Sequence, residues 1–472
     1  MRRISLVLLS LCSSMLLMAQ TQTYYISSTL GKEGNPGTEE APLSTISSLS
    51  KEQKTGAVIY LRSGDIFFES ISDCTDCLIS SYGEGKKPVI CGFRVMTGAE
   101  GWQKDEQGIW KLDMSDPSQF YGYKAGYGKQ FYGNIGCLYI PEENRILGQS
   151  VATKKELKNQ YDFFVTDKVK RSELTQEDFK YLYIKSDEKP GAYCLSSGTN
   201  GISNMNGCTI ENIAVVGFGG HGMQFLWNCI VRNCDIDIMG GSILLGTRSH
   251  WARYGNGIEL WIGKKPCNGN VIENCQISRC YDVGATIQGP SSQDVHSADN
   301  HFRNNRIAYC RQGFEHWAET TDGPAIFENC DFRNNILYCC GDNKFEGTPQ
   351  RDNDVALLAY KAPAKEFIIT ENLIYGRAYR FNQGCTPGLT DNEVYIHQGG
   401  GLLYVTGKTF KTIIPATDSL HLNFYRAYCS DNSKITFVEP DSADDMAIRS
   451  RIMRALKFKY PAPGRNEIEK YK

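Results

Sequence analysis

Short runs of alternating apolar and polar residues fill the chain, and four of them share one frame. Read from a glycine, they are Gly222-Met-Gln224-Phe-Leu226, Gly257-Ile-Glu259-Leu-Trp261, Gly284-Ala-Thr286-Ile-Gln288 and Gly313-Phe-Glu315-His-Trp317. Alternation with period two marks strands that have one buried and one outer face. If these strands stack in parallel, Glu259, Thr286 and Glu315 form one outward row, and Trp261, Gln288 and Trp317 form a second. His316 falls on the inward side, which predicts an interior histidine with satisfied hydrogen bonds.

A second frame runs through the same region. Ile210-Glu-Asn212, Val231-Arg-Asn233, Ile272-Glu-Asn274, Phe302-Arg-Asn304 and Phe327-Glu-Asn329 each have an apolar residue three places after the asparagine, at Val215, Ile236, Ile277, Ile307 and Phe332. Ile369-Thr-Glu371, with Ile374, continues the series. The asparagines are spaced by 21, 41, 30 and 25 residues. A repeat of this period means a stacked solenoid. The Leu-x-x-Leu-x-Leu frame of leucine-rich repeats is missing, and short β-branched strands with Asn at the bends predict a parallel β-helix. The asparagines are expected to form a buried, hydrogen-bonded ladder at one corner.

The flanks divide the chain further. Residues 1–20 read as a secretory signal peptide, because Arg2 and Arg3 precede an apolar run too short to span a bilayer. Residues 21–100 read as an N-terminal cap and the first coils, and 101–200 as a β-rich insertion with its own small core. Residues 201–382 are the main β-helix, and 383–472 contain edge strands (Val394 to Val405, Leu420 to Tyr425) and a helix near 441–456 that covers the open end of the stack. The fold class is therefore all-β.

Three stretches carry a family resemblance: Tyr24-Tyr-Ile-Ser with Asn35-Pro-Gly, Ile79-Ser-Ser-Tyr-Gly83 with Lys87-Pro-Val-Ile, and coils of the form Ile-Glu-Asn-Cys-x-Ile. They resemble the secreted right-handed parallel β-helix, pectate-lyase-like superfamily of polysaccharide-active proteins, over roughly residues 23–382. The resemblance implies the fold and a polysaccharide partner. Of the polygalacturonase motifs only Gly220-His-Gly222 occurs, and it reads as coincidence. Fold alone does not settle the reaction.

Composition narrows the classes. A net charge of -2 over 472 residues, without a long basic run, argues against nucleic acid as a partner. After residue 20 no run is apolar enough to span a membrane, so a monomeric periplasmic or extracellular protein is expected. Seventeen of the 18 cysteines follow the signal segment. Their recurrence at Cys234, Cys275 and Cys330 predicts buried free thiols, with Cys74 and Cys77 the best disulfide candidates.

The candidate chemistry sits on the outward rows. Glu259 and Glu315, two strands apart, are expected about 9 to 10 Å from each other at the backbone, and Asp282 is a third carboxylate nearby. Such a group suits a glycoside hydrolase, one carboxyl protonating the leaving oxygen and the other activating water or attacking the sugar. Trp261, Trp317 and Gln288 are candidate sugar contacts, since indoles cover sugar C–H faces. His250, Arg253 and Tyr254 in one loop, and Lys344 and Arg351 in another, are expected to wall the site. In a polysaccharide lyase Arg253, Lys344 or Arg351 would act as the base, with Ca²⁺ as a possible helper; a hydrolase needs no cofactor or metal. A non-catalytic glycan-binding protein is the third class.

Overall fold

In the computed structural model the described residues are 21–123, 131–247, 252–263, 267–291, 295–320, 325–341, 356–360, 367–377, 379–382, 388–397, 402–406, 413–415 and 434–472. Three ten-stranded sheets run the length of the molecule. Each turn of chain gives one strand to each sheet, so strands far apart in sequence are hydrogen-bonded neighbours. The first sheet runs from Thr23–Ile26 to Gly388–Thr390, the second from Ile71–Ser72 to Ile413–Pro415 and the third from Ile66–Phe67 to Lys434–Val438. Pairing is parallel except between Leu402–Thr406 and Ile413–Pro415. The rungs thus continue past residue 382, and Glu393–His397 and Leu402–Thr406 belong to them. Leu420 to Tyr425 lies outside the described residues.

Identical side-chain slots stack along the axis. In the first sheet Ile210, Val231, Ile272, Phe302, Phe332 and Ile369 are consecutive register partners, all buried. This corrects the sequence frame, because Phe332 and not Phe327 lies opposite Phe302. Phe327 pairs with Ser297 one corner earlier, and the true successor of Asn304 is Asn334.

The asparagine ladder is also displaced from its expected place, by one residue. Asn233, Asn274, Asn304 and Asn334 are exposed, with φ of 53°, 55°, 56° and 53°. They serve the corner through left-handed backbone, which asparagine tolerates better than most residues. The buried ladder is formed by the residues that follow. Asn305 donates from its backbone and side chain to Asn335 Oδ1 (2.8 and 3.1 Å), Asn335 to Asn372 Oδ1 (2.8 and 3.1 Å), and Asn372 to Asn392 Oδ1 (3.0 and 2.9 Å). In earlier rungs Cys234 and Cys275 fill this slot. Fifteen cysteines are described, all buried free thiols, including Cys74 and Cys77, so the Cys-x-x-Cys pair is not bridged. Burial pushes the Cys91 and Cys137 thiols up to about 12, which keeps them protonated and inert.

The insertion is built from a five-stranded and a four-stranded sheet whose described pairings are antiparallel. Trp102, Leu112, Phe163, Phe179 and Leu182 belong to their shared core. It packs on the outer face of the third sheet, where Tyr139 and Ile146 meet Ala214, Val216 and Ile238. A buried ion pair within the third sheet lies at this interface. Arg279 binds Asp237 through Nε (2.8 Å) and Nη2, and its Nη1 donates to Asn144 Oδ1 of the insertion at 2.7 Å.

A helix forms at Ala443–Leu456, with the Ser442 side chain accepting from Asp445 N and Lys457 left-handed at the other end. Ile452 and Leu456 pack on Tyr338, Tyr375 and Tyr395, the outer row of the third sheet. The helix therefore covers a flank of the solenoid. Its apolar side chains match that tyrosine row, and Tyr375 adds a hydrogen bond to Asp445 at 2.6 Å.

Candidate functional site

The second sheet carries a continuous outward row. Ser72, Ser203, Gln224, Glu259, Thr286 and Glu315 are register partners on successive rungs, as are Trp261, Gln288 and Trp317 on the last three. The opposite faces of these strands, Ile258, Leu260, Ala285, Ile287 and Phe314, enter the core. The rows are outward from the sheet yet not solvated. Glu259 is 1% exposed and Glu315 5%.

A cleft of about 640 Å³ lies on this face. Its floor includes Ser203, Gln224, Phe225, Glu259, Trp261 and Gln288, and Asp282 lines it at the bend before its strand. Arg253 and Tyr254 close one side, while Tyr123, Phe131 and Arg171 come from the insertion. Which residues of the insertion reach the cleft depends on how the insertion docks. Glu315 and Trp317 stand one rung beyond the described lining. His250, Lys344 and Arg351 lie outside the described residues.

Glu259 is the most elaborately held group in the cleft. Gln224 Nε2 donates to one carboxylate oxygen; Asn256 Nδ2 and Gln288 Nε2 (2.8 Å) donate to the other. Burying a carboxylate is costly unless hydrogen bonds replace its water, and three amide donors supply that replacement. The amides are themselves fixed. Gln224 Oε1 accepts from Asn200 Nδ2 at 2.8 Å, and Asn256 Oδ1 accepts from the backbone of Val283 at 3.2 Å.

His221, from Gly220-His-Gly222, is a site residue that the sequence reading set aside. Its Nδ1 accepts from Asn256 N at 3.1 Å, so the neutral ring carries its proton on Nε2, which faces Glu259 Oε2 at 3.8 Å. Tyr254 stands edge-on to the ring at 5.3 Å, and burial raises the Tyr254 hydroxyl above its ordinary value. The flanking glycines carry the signal, because a Cβ on Gly222 would lie 2.4 Å from the Gly257 carbonyl oxygen of the next rung. Arg253 is only 7% exposed, with Nη1 3.5 Å from Gly241 O, and is not a solvated loop charge.

Between the two glutamates, Thr286 is fully buried and its Oγ1 has no hydrogen-bond partner among the described residues. His316 is interior, but among the described residues neither ring nitrogen has a hydrogen-bond partner. It stacks on Phe367 at 5.0 Å, and burial pushes its pKa down to about 3. Among the described residues no group of three or more His, Cys, Asp or Glu is placed to hold a metal ion.

None of the curated proteins matches the chain. Solved structures with a similar course include XylC in complex with xylose (11% identity, TM-score 0.42, covering 88% of this chain and 83% of that one). Another is the GH136 lacto-N-biosidase from Eubacterium ramulus (12%, TM-score 0.37, covering 89% and 67%). A third is the tailspike protein gp49 from Pseudomonas phage LKA1 (10%, TM-score 0.18, covering 82% and 70%). The family model described as right handed beta helix region matches residues 173–414, over half of the chain. With its three stacked parallel sheets, the chain belongs to the right-handed β-helix family.

Proposed function

We propose that the protein is an exported carbohydrate-active enzyme, a glycoside hydrolase that cleaves a complex polysaccharide in the cleft over the second sheet. The observation that carries this reading is Glu259, a buried carboxylate oriented by three amides on a cleft floor that also presents Trp261. Both of its oxygens accept hydrogen bonds, which suits the carboxylate role: activating water or attacking the anomeric carbon.

The proton donor to the leaving oxygen is then a second carboxyl group. Glu315 lies two rungs on in the same row, which sets the backbones about 10 Å apart. Side chains leaning toward or away from each other on rungs this far apart reach either the about 6.5 to 9.5 Å of an inverting pair or the about 5 Å of a retaining one. Asp282, inside the cleft, is the alternative donor. Trp261 and Gln288 hold the sugar beside the carboxylate, and Arg253 and Arg171 favour glycans that carry an acidic group. Arg253 in the cleft also supports the lyase reading, in which it removes the proton α to a uronate carboxylate.

A panel of plant and host polysaccharides separates these readings. Hydrolysis releases reducing ends without ultraviolet absorbance, whereas a lyase generates an unsaturated uronate that absorbs. Reducing ends that depend on Glu259 support the hydrolase; absorbance lost in Arg253→Ala and kept in Glu259→Gln would replace it with the lyase.

A further inference from the structure

The second sheet bends at one slot on its first three rungs. Asp73, Asn204 and Phe225 occupy that slot with φ of 61°, 56° and 59°. The rungs are in register before the bend at Ser72, Ser203 and Gln224, and the last two resume register after it at Met205 and Leu226. Left-handed backbone crowds the Cβ of an L residue, and short polar side chains relieve this by local hydrogen bonding. Asn204 and Asp73 are such residues, and their side chains also bond to each other between rungs, Asn204 Nδ2 donating to Asp73 Oδ1 at 3.2 Å. A phenylalanine has no such relief; in this chain Ile238, Arg279, Tyr309 and Cys339 also take left-handed backbone at the third sheet, and on the second sheet Phe225 is the bulky occupant among the first three rungs.

What the strained backbone achieves is direction. The half-buried Phe225 ring lines the cleft together with Gln224 and Trp261. From beneath it is backed by Trp227, whose ring is nearly parallel at 14° and 6.2 Å between centroids.

We propose that Phe225, supported by Trp227, is a sugar-binding platform that takes the C–H face of one pyranose ring of the glycan, one rung before Glu259. This rests on the reading of the cleft as a glycan site. It assigns Phe225 to substrate binding and not to the proton transfers.

The slot itself suggests the test. Phe225→Asn places there the residue that the preceding rung already uses, and Phe225→Tyr keeps the aromatic face. Each variant is assayed for thermal midpoint, and for kcat and KM on a ladder of oligosaccharides prepared from whichever polysaccharide the wild type degrades. Phe225→Asn is expected to keep or raise the midpoint while KM rises about tenfold with a smaller change in kcat. Phe225→Tyr should keep the wild-type KM. An unchanged KM in Phe225→Asn, or a lowered midpoint with kcat and KM failing together in both variants, would overturn the platform and leave the ring as packing. A wild type that neither degrades nor is retarded in gels containing any of the polysaccharides removes the reading of the cleft, and this inference with it.

Discussion

Removing one amide from the buried ladder should damage the fold far more than removing its exposed neighbour. In Asn335→Ala, Asn305 loses the acceptor of both its backbone and its side-chain N–H, at 2.8 and 3.1 Å. The Phe302 carbonyl loses a donor at 3.0 Å. Asn372 Oδ1 keeps the Asn335 backbone N–H at 2.8 Å. Each stranded buried group costs about 1–3 kcal/mol, and partial relaxation brings the expected total to about 2–4 kcal/mol. Asn304→Ala removes an exposed side chain in left-handed backbone together with its solvent-exposed bond from Asn334 Nδ2, a cost of about 1–2 kcal/mol, and Asn304→Gly, which relieves the backbone, should be close to neutral. A stacked array need not unfold in a single step, so the assay is amide hydrogen exchange at the Asn305 rung. Exchange there should accelerate roughly 30- to 700-fold in Asn335→Ala, by the tenfold per 1.4 kcal/mol relation, and change by less than about threefold in Asn304→Gly. Equal acceleration in Asn304→Gly and Asn335→Ala would refute the ladder assignment.

His316 should make the fold acid-sensitive. Its folded pKa of about 3 lies below the ordinary histidine value near 6.5, so as pH falls through 6.5 the unfolded chain binds a proton that the folded chain refuses. Stability should drop by about 2 kcal/mol between pH 7 and pH 5 from this residue alone, and urea midpoints of His316→Phe should lose that part of the slope. Arg279→Ala strands Asp237 at the insertion interface and should cost about 3–5 kcal/mol, whereas Asp237→Asn combined with Arg279→Met should recover much of the loss. Denaturant curves in which the double variant is no better than the single one would contradict this.

The strand pattern was legible because side-chain alternation is a strict consequence of β geometry, and a shared glycine was enough to align Glu259, Thr286 and Glu315. The corner was not. Asn304 and Asn305, like Asn334 and Asn335, are adjacent, and at a bend the period of two no longer says which one turns inward. The frame at Phe327 failed for a related reason, since two corners of one coil carry similar apolar-x-Asn strings. Burial of the site was also hidden, because Tyr123, Phe131 and Arg171 reach the cleft only through docking of the insertion on the third sheet. His221 looked like coincidence because its meaning lies in Asn256, 35 residues away, which sets its tautomer.

The most direct test of the central claim is the turnover of Glu259→Gln on the first polysaccharide that the wild type degrades. The amide keeps the length and shape of the side chain while replacing one of the two oxygens that accept from Gln224, Asn256 and Gln288, and it can neither transfer a proton nor attack as a carboxylate. Reducing-end release should therefore fall about 10²- to 10⁴-fold while the variant stays folded and still binds the glycan. Glu315→Gln and Asp282→Asn, measured beside it, identify the acid as whichever variant also collapses and loses the alkaline limb of the pH–rate profile. Wild-type hydrolysis by Glu259→Gln would remove the carboxylate at the centre of the cleft from the mechanism.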